Sequence, residues 1–234
     1  MKPEEFSVQC RQALGGAFHS VILYGSAVTG DFVKKRSDHN LLLVAREWTP
    51  ETMEAIRPLV QKWIGRGNSS PLLFTPERLQ NSADVFPMEM LDILDAHRIL
   101  DGHDPLADIT VDPVHLRHQV EFELRSKLMA LRQAYLECKR PGKELPELMI
   151  RTVGSILVVF RGALRCFEKQ VPPNKKEALD QLAEKLEFPT DVFEQILRMK
   201  AREIKPSEVN ARDLFSRYLM KIELVLDRVD ERLQ

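Results

Sequence analysis

Cysteine is scarce in this chain. Cys10, Cys138 and Cys166 are the whole complement of 234 residues, and no two form a C-x-x-C pair. An odd, scattered set excludes a disulfide framework and a structural zinc site, and predicts reduced thiols in a cytoplasmic protein. An excess of charge of either sign is also missing. Lys and Arg number 34 against 35 Asp and Glu, a formal net charge of −1. No global field therefore draws in phosphate, which disfavours a nucleic-acid partner. Long apolar runs are absent: none is longer than Ile156–Phe160, which Arg161 closes. That is far short of the ~20 residues needed to span a bilayer, so no membrane partner is expected. The opening residues MKPEEFSVQC carry two glutamates and no apolar stretch, so no signal peptide is expected. Against these absences, 44% of residues are hydrophobic. That content with near-zero net charge excludes disorder as the overall state and supports one large domain or two small ones.

The two halves have different textures. In the first, Val21–Tyr24 and Asn40–Val44 are short apolar runs bounded by turn or polar residues, the signature of buried strands. Pro71–Phe74 is a third candidate strand. Phe86–Ile93 and His97–Leu100 are a fourth and a fifth. Thr49 before Pro50 caps an amphipathic helix that runs to Ile64, with Pro58 inside it as a kink. From Asp112 the pattern turns helical. Asp112-Pro113 reads as an N-cap with Pro in the first helical position, and Val120, Leu124, Leu128 and Leu131 recur at steps of three and four. A second long helix is expected over 145–169. Pro172-Pro173, Pro189 and Pro206 set off three more. The apolar stretch Gly154–Gly162 suits a central bundle helix or a dimer contact. Arg117, Glu121 and Arg125 are spaced one turn apart for ion pairs on a solvated face. The expected architecture is an α+β domain over 1–105 followed by an all-α helix bundle over 112–234.

The stretch VILYGSAVTGDFVKKRSDHNLLLV, residues 21–44, carries the chemistry. A strand runs into Gly25-Ser26, and a second strand brings Asp38 and Asn40. Glycine lets a backbone approach phosphate closely, and Ser26 with the following amides can donate to phosphate oxygens. Asp38 and Asn40 are two apart on a strand and share a face. His39 between them points to the other face and is expected to be packed. Oxygen ligands beside a phosphate loop suit a magnesium–nucleotide site. The basic run Lys34-Lys35-Arg36 is more simply a solvated loop.

These residues resemble the nucleotidyltransferase superfamily that includes DNA polymerase β and kanamycin nucleotidyltransferase. Its signature is an apolar residue, Gly-Ser, about a dozen residues, then Asp-x-Asp in a hydrophobic strand. Here it reads Tyr24-Gly25-Ser26 and then Asp38-His39-Asn40. The resemblance implies a mixed-sheet catalytic domain with a helical domain behind it. It also implies magnesium and a nucleoside triphosphate, ATP, as cofactors, and a hydroxyl acceptor attacking the α-phosphate. Gly25 and Ser26 would seat the nucleotide. Asp38 and Glu89 would hold metal, with Asp92 the second choice for the third carboxylate. Asn40 stands where the family has its second aspartate. Its amide oxygen can ligate, but it brings no charge and bridges two hard cations poorly.

Two functions are therefore weighed. One is a nucleotidyltransferase, with catalysis weakened at Asn40. The other is a catalytically impaired nucleotide-binding or partner-docking module, such as a toxin–antitoxin-like subunit. A homo-oligomer through the helical half is compatible with both.

Overall fold

The structure is a computed structural model and describes residues 1–29 and 39–231. Asp38, Lys34, Lys35 and Arg36 lie outside the described residues.

In chain order the first elements are α1 (Pro3–Leu14), β1 (Phe18–Tyr24), α2 (Ser26–Thr29), β2 (Asn40–Ala45), α3 (Pro50–Ile64) and β3 (Leu72–Phe74). Then come α4 (Pro76–Gln80), α5 (Pro87–Asp95) and β4 (His97–Gly102). The helical half holds α6 (Pro113–Glu137), α7 (Pro141–Arg165), α8 (Lys175–Lys185), α9 (Asp191–Lys200) and α10 (Ala211–Glu231). The chain divides into two compact units, Met1–His115 and Leu116–Gln234.

The strands of the first unit form one mixed sheet in the order β3-β2-β1-β4. β1 pairs antiparallel with both β2 and β4, and β2 pairs parallel with β3. Side chains alternate between the two faces. On one face Val21, Leu23, Leu41 and Leu43 pack with Phe6, Ile56 and Trp63 from α1 and α3. On the other, Ile22, Leu42 and Val44 pack with Leu79, Met90, Ile93, Leu106 and Ile109. Local signals set the helices. Thr49 and Thr52 cap α3 reciprocally, and the helix runs on through Pro58. Arg11 and Arg98 tie α1 to β4 through Asp101 and Glu4. Gly102 ends β4 at φ +92°, so close to β1 that a Cβ would stand 2.0 Å from the His19 carbonyl oxygen. No larger residue fits there.

One expected strand is absent. Residues 87–95 form a helix, α5, because Pro87 takes its first position and Met90 and Ile93 lie one turn apart on its buried side. The Met88–Met90 alternation that suggested a strand is too short to outweigh those signals.

The second unit is all helix, as the sequence pattern implied. α7 is its centre, packed by α8, α9 and α10 and buried at Val153, Ile156, Leu157, Val159 and Phe160. It starts earlier than expected, with Pro141 in its first turn. The Arg117–Glu121 pair forms at 2.8 Å, but it is largely buried, with side chains 19% and 15% exposed. Arg125 turns instead to Asp230 on α10, at 3.3 Å. The solvated-face reading therefore fails for Arg117. No helix among the described residues is long and apolar enough to cross a membrane.

Candidate nucleotide site

The motif residues meet where β1 ends and β2 begins. Tyr24 sits in register between Asn40 of β2 and His97 of β4. Gly25 follows at φ +77°, in the region that L side chains rarely adopt. Its N–H donates to the Ala96 carbonyl at 2.9 Å, and its own carbonyl accepts from the Val28 N–H at 2.8 Å. A Cβ placed on Gly25 would stand 3.2 Å from Nδ2 of Asn40. Gly25 and Asn40 are thus side by side, and a side chain at 25 would press on the Asn40 amide. α2 starts at Ser26, directly after this turn.

Asn40 is half-buried. Alternation along β2 puts it with Leu42 and Val44, on the face covered by α5. Tyr24 packs against the same cluster. Burial holds its phenol above the usual tyrosine range, and the charge of Asp92 pushes it further the same way. Asp92 on α5 is therefore within electrostatic reach of Tyr24. Glu89 lies in the first turn of α5 and is exposed. The strand that was to present it is this helix, where Glu89 and Asp92 are three positions apart and share a side. His97 closes the far end of α5: its Nδ1 donates to the carbonyls of Ile93 and Leu94, both at 3.1 Å.

His39 points the other way, as alternation requires, towards the α3 side. Its ring lies 6.0 Å from Trp63, and its Nδ1 is 3.1 Å from Oδ1 of Asn68. Sequence reasoning singled out neither Trp63 nor Asn68, and no local pattern links Asn68 to a histidine 29 positions away.

Among the described residues, no group of three His, Cys, Asp or Glu side chains is placed to hold a metal ion. The oxygen donors seen near this turn are the Asn40 amide oxygen and the carboxylate of Asp92, whose charge acts on Tyr24. These are hard oxygen groups, the chemistry magnesium takes. A cavity of about 620 Å³ opens elsewhere in the first unit, beside Gln80, Asn81, Asp84, Thr110, Asp112 and His115. None of the described motif residues lines it.

A mixed sheet with a glycine turn at one strand end, and a helical unit following, is the architecture that the motif resemblance implied. Among solved structures the chain is similar to spectinomycin adenyltransferase AAD(9) from Enterococcus faecialis, crystallised with ATP and spectinomycin. The two are 16% identical with a TM-score of 0.58, over 93% of this chain and 95% of that one. The chain therefore has the nucleotidyltransferase fold, an α+β part followed by helices, along nearly its whole length. No family model matches the chain, and no curated protein matches it in sequence.

Proposed function

We propose that the chain is a nucleotidyltransferase that moves a nucleoside monophosphate from ATP to a hydroxyl of a small acceptor. The observation that carries this reading is the apposition of Gly25 and Asn40 at the paired ends of β1 and β2. It occurs in a chain that shares its fold, end to end, with an adenyltransferase crystallised with ATP and an acceptor. In the reaction the acceptor oxygen bonds to the α-phosphorus and the bond to the bridging oxygen breaks. Pyrophosphate leaves, and the hydroxyl proton passes to a carboxylate of the site or to solvent. Gly25 and Ser26 seat the phosphates. Asp38 and Glu89 are the residues that would hold magnesium, which when bound offsets phosphate charge. Phosphoryl transfer depends mostly on positioning and electrostatics, so one missing anionic ligand slows such a site more than it weakens nucleotide binding.

The second reading is a module that binds nucleotide without turnover. Asn40 favours it, because a neutral amide stands where the resemblance calls for a carboxylate. One experiment separates the two. The full chain is incubated with α-labelled ATP, magnesium and a panel of hydroxylated acceptors that includes spectinomycin. Label should reach an acceptor, fall at least tenfold in Asp38→Ala, and rise in Asn40→Asp. Calorimetric ATP binding with no transfer in either wild type or Asn40→Asp would select the binding module. No binding at all would end both readings.

A further inference from the structure

We propose that Asn68 is a positioning residue for the nucleotide-facing end of β2, acting through His39; this rests on the nucleotidyltransferase reading above. Asn68 lies in the loop after α3. Its Oδ1 accepts the backbone N–H of His39 at 3.4 Å and stands 3.1 Å from His39 Nδ1. An amide oxygen only accepts, so Nδ1 carries the proton and the imidazole is held as that tautomer. The other half of the amide, Nδ2, donates to the Trp63 carbonyl at 3.3 Å. Trp63 is itself immobilised. It is fully buried, its Nε1 donates to the Ser69 carbonyl at 2.9 Å, and its ring lies 5.1 Å from Phe6. One side chain therefore links the core end of α3 to the residue that separates the two motif positions.

The location gives the link its importance. The ladder with β1 begins at Asn40, opposite Tyr24. His39 lies just beyond that ladder, and Asn68 and Trp63 hold it. Side chains in a strand alternate with period two, so a slip or a turned pleat at 39 would swing Asn40 from the α5 side to the α3 side. Fixing His39 on one face fixes Asn40 on the other. The hydrogen bonds of Asn68 go to His39 and Trp63, not to Tyr24, Gly25 or Asn40.

The test is calorimetric ATP binding by the full chain in magnesium buffer, at a temperature where circular dichroism shows each variant folded. Asn68→Ala should weaken ATP binding about tenfold, as loss of an outer supporting partner commonly does. Asn68→Asp keeps an acceptor for both His39 donors but loses the donor to the Trp63 carbonyl, so it should recover affinity to a value between Asn68→Ala and wild type. Asn174→Ala removes an N-cap acceptor from α8 in the other unit. It should lower the melting temperature and leave ATP binding unchanged. Amide exchange at His39 and Asn40 should quicken in Asn68→Ala and not in Asn174→Ala. If Asn68→Ala does not fold, Asn68→Ser, too short to bridge His39 and Trp63, is measured against the same expectation. A folded Ala or Ser variant that binds ATP like wild type overturns the proposal. So does an equal loss in Asn68→Asp. A wild type that binds ATP only through some other surface, insensitive to Gly25 and Asn40 changes, overturns the functional reading, and this proposal with it.

Discussion

The two faces of the sheet are filled with different material. The face under α1 and α3 buries Trp63 and Phe6 completely, and long helices cover it. Among the described residues, the face under α4 and α5 buries aliphatic side chains, methionine and alanine, with Tyr24 and Phe74 half-covered at its margin. Short helices and the segment around Leu106 and Ile109 close it. The motif side chain Asn40 faces this second, lighter side, and His39 faces the first. One face is a frame; on the function proposed above, the other would hold the chemistry.

That contrast can be broken at either face. Trp63→Ala should cost the most, about 3–5 kcal/mol, since it empties the largest buried site and removes the indole hydrogen bond. Urea unfolding reads it directly, and a loss under about 1 kcal/mol would mean that the frame lies elsewhere. Met90→Ala on the lighter face should cost less, about 2 kcal/mol, because short helices can settle into the gap. Equal losses at Trp63 and Met90 would erase the distinction. Gly25→Ala should cost about 1–2 kcal/mol through its positive φ, and should weaken ATP binding by more than its stability loss explains, because the new methyl presses on Asn40.

The smallest effect concerns Asp101. Hydrogen bonds from Arg11 hold its carboxyl below the usual aspartate range. Protonation therefore favours the unfolded chain. The contribution is complete above the ordinary aspartate value and is lost as pH falls through the lowered folded value. Asp101→Asn should flatten only the acid limb of the stability–pH curve, and equal slopes for the two proteins there would contradict this.

Much of this was legible in the sequence, and the reasons are local. β1, β2, β3 and β4 showed themselves as brief apolar runs between turn residues. The caps at Thr49 and Asp112 marked their helices, and the Asp112 side chain does accept the Val114 N–H at 2.8 Å. The alternation about His39 gave the correct face for it. α1 passed unread, although Glu4 and Glu5 follow Pro3 and Phe6, Cys10 and Leu14 recur every fourth residue. α5 was misread because two methionines flanking Glu89 imitate a strand over a span too short to show a helical period. The clamp on His39 was illegible for a different reason. Its partners come together only when α3 docks on the sheet, and sequence patterns do not encode contacts made by docking.

The hydrogen bond from Gly25 to Ala96 joins the end of one strand to the end of one helix by a short, stiff tie. It works like a drawbar. Any ligand that pulls on the turn pulls on the last turn of α5, where His97 has already pinned the carbonyls of Ile93 and Leu94. The turn and the end of α5 are thus tied together, so on the function proposed above a phosphate seated at the first would be felt at the second.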